Sequence, residues 1–296
     1  MHIPSSRLNS FTNCEIHIIF SSRSRHPLGL IELNLNFAKG LFMKLSLRPT
    51  WVMILLIVFL IPSAGSAFEF GARGYYWFPS LKGDLRVDSD GITGTNINYK
   101  DDLGIDNKNI PSIEAFAGIG KHHISLMYSQ IDYSGSNTTS GIIFDGKTYS
   151  GLVESDFKLK MLDAEYQYDL LNLENILAGF SIGILGKIKY INGDARLNSA
   201  SVGETKSTFD FPVPMVGAAV HVGILAKILE ARAKFSGMGY SGSHVYDGLA
   251  ELSITPFPFI DIAGGYRYMK IKVDDISDVT TNTELSGPYV SLVISF

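Results

Sequence analysis

From Phe68 onward the chain alternates apolar residues with polar or small ones in segments of about ten, the two-residue period of a β-strand. In the first segment Phe68, Phe70, Ala72, Tyr76 and Phe78 share one face, and Glu69, Arg73 and Tyr75 share the other. Ile113, Ala115, Ala117 and Ile119 stand against Ser112 and Glu114, and Leu229, Ala231, Ala233 and Phe235 against Glu230, Arg232, Lys234 and Ser236. Charges at successive alternate positions of one strand demand an interior that is wet or internally paired. The pattern predicts about ten strands, at 68–79, 110–119, 122–133, 153–169, 176–191, 209–223, 228–239, 245–255, 259–272 and 285–296, with eight or twelve as the alternatives.

The connections between these segments alternate in length. Gly120-Lys121, Leu170 to Asn175, Ile224 to Lys227 and Thr255-Pro256-Phe257-Pro258 are short. The stretches 80–109, 134–152, 192–208, 240–244 and 273–284 are mostly long, and rich in Gly, Asn, Ser, Thr and Asp. Short turns at one end and long loops at the other suit a barrel inserted into a membrane from one side. No window after Ala67 approaches the roughly twenty apolar residues that a spanning helix needs. Backbone groups in hydrocarbon must all be paired, so the first and last strands are expected to meet. The fold expected is therefore all-β, a closed antiparallel up-and-down transmembrane β-barrel. Aromatic residues near the segment ends, among them Tyr75 to Phe78, Tyr166, Tyr168, Phe257, Phe259, Tyr266 and Tyr268, suit interfacial girdles.

The amino-terminal part changes the picture of where the protein goes. Met43, Lys44 and Arg48 precede an unbroken apolar run from Trp51 to Ile61, then Pro62 and the small residues up to Ala67. This is the pattern of a secretory signal peptide over 43–67, and an apolar run of about eleven residues is too short to anchor in a bilayer. Residues 1–42 show no usable periodicity and read as a mis-assigned or disordered leader, which leaves 68–296 as the barrel domain. The one cysteine, Cys14, falls in that leader, so the mature chain forms neither a disulfide nor a thiolate metal site. Without residues 1–67 the chain keeps 19 basic and 27 acidic residues, which argues against nucleic acid as a partner.

At the carboxyl end Val290, Leu292, Ile294 and Phe296 place four apolar residues on one face and finish on an aromatic. That ending resembles the carboxy-terminal assembly signal of bacterial outer-membrane β-barrel proteins. The resemblance is to the class and identifies no subfamily. It implies an outer-membrane location, handling by the barrel-assembly machinery, and contact with outer-membrane lipids including lipopolysaccharide.

The inward faces collect Glu69, Arg73, Glu114, Asp163, Glu165, Lys187, Lys189, Glu230, Arg232, Lys234, Glu251, Asp261 and Arg267. Charges of both signs inside a narrow barrel are expected to neutralise one another and largely plug the lumen. A ten-stranded barrel is far narrower than a sixteen-stranded porin, so wide conduction is not expected. A bulge is expected near Met161-Leu162, because Lys158 and Lys160 fall on one parity and Asp163, Glu165 and Gln167 on the other.

Candidate chemistry is sparse. His244 lies near Ser241, Ser243 and Asp247, but adjacent strand residues point to opposite faces, and a triad needs converging geometry. Asp84, Asp88, Asp90, Asp101, Asp102 and Asp106, and then Asp274, Asp275 and Asp278, crowd two loops without the spacing of a calcium-binding loop, and read as solvated charge. No cofactor and no metal are expected. The function expected is that of a non-enzymatic barrel displaying loops for adhesion, envelope stabilisation or ligand contact. A narrow channel for a small solute is the alternative, and an outer-rim lipid or peptide hydrolase stands further off.

Overall fold

The computed structural model describes residues 68–173, 179–225, 228–276 and 278–296, so the leader and signal peptide assigned to 1–67 lie outside the described residues. The described chain forms β1 (Phe68–Trp77), β2 (Ser80–Val87), β3 (Ile97–Asn98), β4 (Ile110–Ile119), β5 (His122–Phe144) and β6 (Lys147–Asn172). It continues with β7 (Ser181–Ser199), β8 (Gly203–Leu225), β9 (Leu229–Tyr240), β10 (Ser243–Phe257), β11 (Ile260–Ile276) and β12 (Val279–Ser295). Every pairing between these strands is antiparallel.

The sheet closes on itself. From β4 to β12 each strand pairs with the next, and β1 pairs with β4 on one side and β12 on the other. The expected meeting of the first and last strands is present, from Gly71 opposite Ser295 to Trp77 opposite Tyr289. Closure removes the free edges that hydrocarbon would not tolerate.

The strand count is twelve where the sequence suggested about ten. The additional strands come from 80–109, read above as an outer loop. β2 follows β1 past Phe78-Pro79 and pairs with the upper part of the same β12, Ser80 opposite Ser286 and Val87 opposite Val279; β3 lies on β2. Pro79 interrupts the ladder because it has no N–H to give. Gly287 faces the break, where any side chain would run into the Phe78 carbonyl.

The wall is uneven in height. β1 and β4 have 10 residues each and β9 has 12, whereas β5 has 23, β6 has 26 and β8 has 23. A tilted strand crosses a bilayer in about ten residues, so β5 to β8 rise well beyond it. Most of 134–152 and 192–208, and part of 273–284, is therefore strand and not loop. The bulge expected at Met161-Leu162 is absent, since β6 pairs without a shift from Leu152 through Asp169. Lys158 and Lys160 keep the outward parity of that continuous strand, above the lipid-facing residues, where charge meets water and needs no bulge. Of the expected segment 176–191, the structure begins the strand at Ser181; 176–178 lie outside the described residues.

The outer surface is apolar over the lower wall, with Phe70, Ile113, Leu126, Ile184, Val216, Phe235, Leu252, Ile262 and Leu292 all exposed. Aromatic rings mark both borders of this band. At the end carrying both termini of the barrel Phe70 and Phe259 stack on Phe296, with ring centroids 5.6 and 5.4 Å away. At the opposite border Tyr76 meets Phe78 at 5.2 Å and Phe235 stacks on Tyr246 at 6.0 Å. With short turns and both ends of the barrel at the first border, that end is the periplasmic one of a barrel inserted from one side, and the tall hairpins face outward.

Candidate functional site

The lumen has two regions of opposite character. Strand periodicity alone sets which side chains enter it, and odd-numbered positions of β1, β5, β6, β7, β10 and β11 and even-numbered positions of β4 and β9 point inward.

At the periplasmic mouth the inward groups are locally paired and, apart from the buried Asp169, partly exposed. His123 Nε2 lies 3.1 Å from Asp169 Oδ2, which also takes the Gln167 amide at 2.8 Å on its other oxygen. His221 Nε2 lies 3.2 Å from Glu230 Oε2, and Thr255 donates to Asp261 at 2.6 Å. Glu69 is exposed at the same rim.

Deeper in, two carboxylates organise one side. Glu251 accepts Arg73 Nη1 at 3.0 Å, Arg232 Nη2 at 2.8 Å and the Tyr289 hydroxyl at 2.6 Å. Glu114 accepts the Tyr75 hydroxyl at 2.7 Å, with Arg73 Nε 3.8 Å away. Across the lumen Glu165 is shared by Lys234 at 2.6 Å and Lys187 at 3.2 Å.

Asp247 lies at the centre of the next layer. Arg267 grips it with two hydrogen bonds, Nε at 3.2 Å and Nη2 at 2.9 Å, while Lys189 stands 3.0 Å and Lys187 3.6 Å away. Lys189 also reaches Asp163 at 2.6 Å and is wholly buried. The Arg267 guanidinium lies over the Trp77 ring, 5.1 Å from its centroid. Such fork-shaped pairing of arginine with carboxylate is the arrangement by which buried charge is tolerated. One cavity among these side chains has a volume of about 30 Å³, enough for roughly one or two water molecules.

Above this layer the lumen is a hydrophobic core. Leu81, Leu85, Val87, Ile97, Tyr99, Leu103 and Ile105, from β2, β3 and the segment after them, enter from one side. They meet Ile131, Tyr133, Phe144, Tyr149, Val153, Ile191 and Leu197 from the tall strands. The first expected loop is thus folded into the barrel. Its aspartates are not simply solvated: Asp88 takes the Gly94 N–H at 2.7 Å and pairs with Arg86 at 3.1 Å, and Asp102 takes the Asn98 N–H at 2.7 Å.

Of the residues singled out for the lumen, Arg73, Glu114, Asp163, Glu165, Lys187, Lys189, Arg232, Lys234, Glu251 and Arg267 come together in the two charged layers. Glu69, Glu230 and Asp261 face inward but stay at the mouth. Sequence reasoning placed Asp247 within the expected strand 245–255 but left it out of the lumen network, weighing it only as a neighbour of His244. The parity of Val245, Asp247, Leu249 and Glu251 carried the signal. His244 belongs to the opposite face, its ring 5.1 Å from that of outward Tyr246, so Ser243, His244 and Asp247 do not converge. Among the described residues no group of His, Cys, Asp and Glu is placed to hold a metal ion. Val290, Leu292, Ile294 and Phe296 all face outward in or just beyond β12.

A closed antiparallel ring with an apolar outer wall, two aromatic borders and a charged interior defines a transmembrane β-barrel of the bacterial outer-membrane class. No family model and no curated protein matches the chain. Among solved structures it is similar to the outer membrane protease OmpT from Escherichia coli, at 11% identity over 80% of this chain and 99% of that one, with a TM-score of 0.48. It is also similar to Neisserial surface protein A, at 14% identity over 78% and 99% with a TM-score of 0.32. A third is the toluene transporter TodX of P. putida, at 8% identity over 80% and 91% with a TM-score of 0.28. At those scores no activity passes from these proteins to this chain.

Proposed function

We propose that the chain is a non-enzymatic, non-conducting barrel of the outer membrane, whose rigid wall displays the tall β5–β8 hairpins to the outside for adhesion, envelope stabilisation or ligand contact. The observation that carries this reading is the doubly closed lumen. Ions entering from the periplasm meet the layer of Lys189, Asp247 and Arg267, and beyond it a packed apolar core. Dislodging a paired, buried charge costs several kcal/mol, and an apolar core offers an ion nothing in exchange for its hydration shell. Its proposed partners are the outer-membrane lipids around the wall and, during assembly, the barrel-assembly machinery acting on the strand that ends at Phe296.

The test is the current through wild-type protein in planar bilayers, after cell fractionation and a heat-dependent shift in gel mobility have shown the folded barrel in the outer membrane. The reading expects no stable conductance steps. Regular steps of one size, selective for one sign of ion, would replace it with the narrow-channel alternative.

A further inference from the structure

Just above its apolar band, the side of the wall formed by β10, β11, β12 and β2 carries a cluster of cations that the closed lumen does not use. On the outward face of β10, β11, β12 and β2 the register aligns His244 with Lys272, Asn282 and Asp84 in one row, and Tyr246 with Lys270, Glu284 and Lys82 in the next. Lys82, Lys270 and Lys272 outnumber Glu284 and Asp84, and none of the three lysines makes a salt bridge among the described residues. Glu284 accepts the Tyr268 hydroxyl at 3.4 Å. Partial burial and the Lys272 and Lys270 ammonium groups hold the His244 imidazole below its usual range.

Height along the wall decides what the cluster meets. The outward residues of β11 run Ile260, Ile262, Gly264, Tyr266, Tyr268, Lys270 and Lys272. From Ile260 to Lys270, at about 3.3 Å per residue and a tilt near 40°, the climb is roughly 25 Å, the height of a barrel's apolar band. The lysines therefore begin where the hydrocarbon ends, directly above the tyrosines of the outer border. On the opposite wall Lys158 stands at a similar level but between Asp132 and Asp194 in the register, with acids on both sides.

We propose that Lys270 and Lys272, supported by Lys82, bind the phosphate groups of an outer-leaflet phosphoglycolipid of the lipid A type. Tyr246 and Tyr268 border the lipid's acyl–headgroup junction, and the short turn at Ser241 and Gly242 keeps this part of the rim low enough for the headgroup to reach the lysines. The inference rests on the outer-membrane reading above and gives it a specific lipid contact.

Native mass spectrometry of the full-length protein, purified from the outer membrane in detergent and titrated with bisphosphorylated lipid A, tests it. Wild type should retain the lipid and lose it as salt rises. Lys270→Ser with Lys272→Ser should weaken retention roughly tenfold or more, since each lysine near an anionic surface contributes on the order of 1 kcal/mol. Lys270→Arg with Lys272→Arg should restore retention, and Lys158→Ser should leave it unchanged. The proposal is overturned by wild type that retains no lipid A, by a double serine variant that retains it equally, by Lys158→Ser with the same loss, or by inorganic phosphate displacing the lipid at equal concentration. Heat-modifiable mobility of each variant shows that its barrel is intact. Failure of the outer-membrane reading would instead appear as wild type missing from the outer-membrane fraction.

Discussion

The lower and upper halves of the lumen solve the same packing problem with opposite chemistry. Below, charges fill the barrel, and each carboxylate of the central layer serves more than one cation, so that Asp247 alone faces Arg267, Lys189 and Lys187. Above, apolar side chains of β2, β3 and the tall strands fill it with few polar contacts, among them the Tyr149 hydroxyl on Thr205. The difference follows from what surrounds each half. At membrane level the outer face is apolar and faces lipid, so only the inner face is left for charge. Beyond the membrane the outer face meets water, and the strands revert to the soluble pattern of polar outside and apolar inside. One protein thus inverts its hydrophobic alternation partway along single strands, as β6 does between Asp163 and Leu159 on the inner face and between Leu162 and Lys160 on the outer.

The largest expected effect comes from the charged half. Asp247→Ala takes both close hydrogen bonds from the buried Arg267, while Lys189 keeps Asp163, and should cost about 3–5 kcal/mol, read as a fall in the urea concentration at which the heat-modifiable form is lost. Leu103→Ala opens a void in the upper core and should cost about 3 kcal/mol. Its signature is spatial: amide exchange should accelerate in β3 and the upper parts of β5 to β8, and stay slow in β1, β4 and lower β12. Equal acceleration throughout would show that the two halves unfold as one unit. Arg232→Ala should cost about 1 kcal/mol in the same urea assay, because its side chain is 22% exposed and Glu251 keeps Arg73 and Tyr289. His244→Ala, on the outward face, should shift stability by less than about 0.5 kcal/mol.

Much of the membrane half was legible in the sequence, because it depends on a period of two that can be followed residue by residue. The inward parity of Glu69, Arg73, Glu114, Glu230, Arg232 and Lys234 needed no coordinates. The upper half was hidden for a physical reason: segments rich in Gly, Asn, Ser and Asp look like solvated loops, yet Leu81, Leu85, Ile97, Leu103 and Ile105 are spaced irregularly among them and find their partners only in three dimensions. Asp247 escaped because, although it fell within the expected strand 245–255, it was weighed only with Ser243 and His244, whereas the hairpin turns within Ser241 and Gly242, both in the left-handed region, and the strand that follows sends Asp247 and His244 to opposite faces. The register that joins Asp247 to Lys189 depends on long-range strand order, which no local pattern encodes.

The central claim is that water enters the lumen from the periplasm and stops at the layer of Lys189, Asp247 and Arg267. The signal-processed chain expected from the sequence carries no cysteine, so a single one can be introduced at Ser253, which faces inward below that layer, or at Ile271, which is buried in the apolar core one inward position above Met269, the register partner of Asp247. Labelling of the folded barrel with a membrane-impermeant maleimide should modify Ser253→Cys readily and leave Ile271→Cys untouched until the protein is denatured. Modification of Ile271→Cys in the folded barrel at a rate comparable to Ser253→Cys would contradict the account, for it would mean that an aqueous path runs through the layer that the ion pairs are held to close.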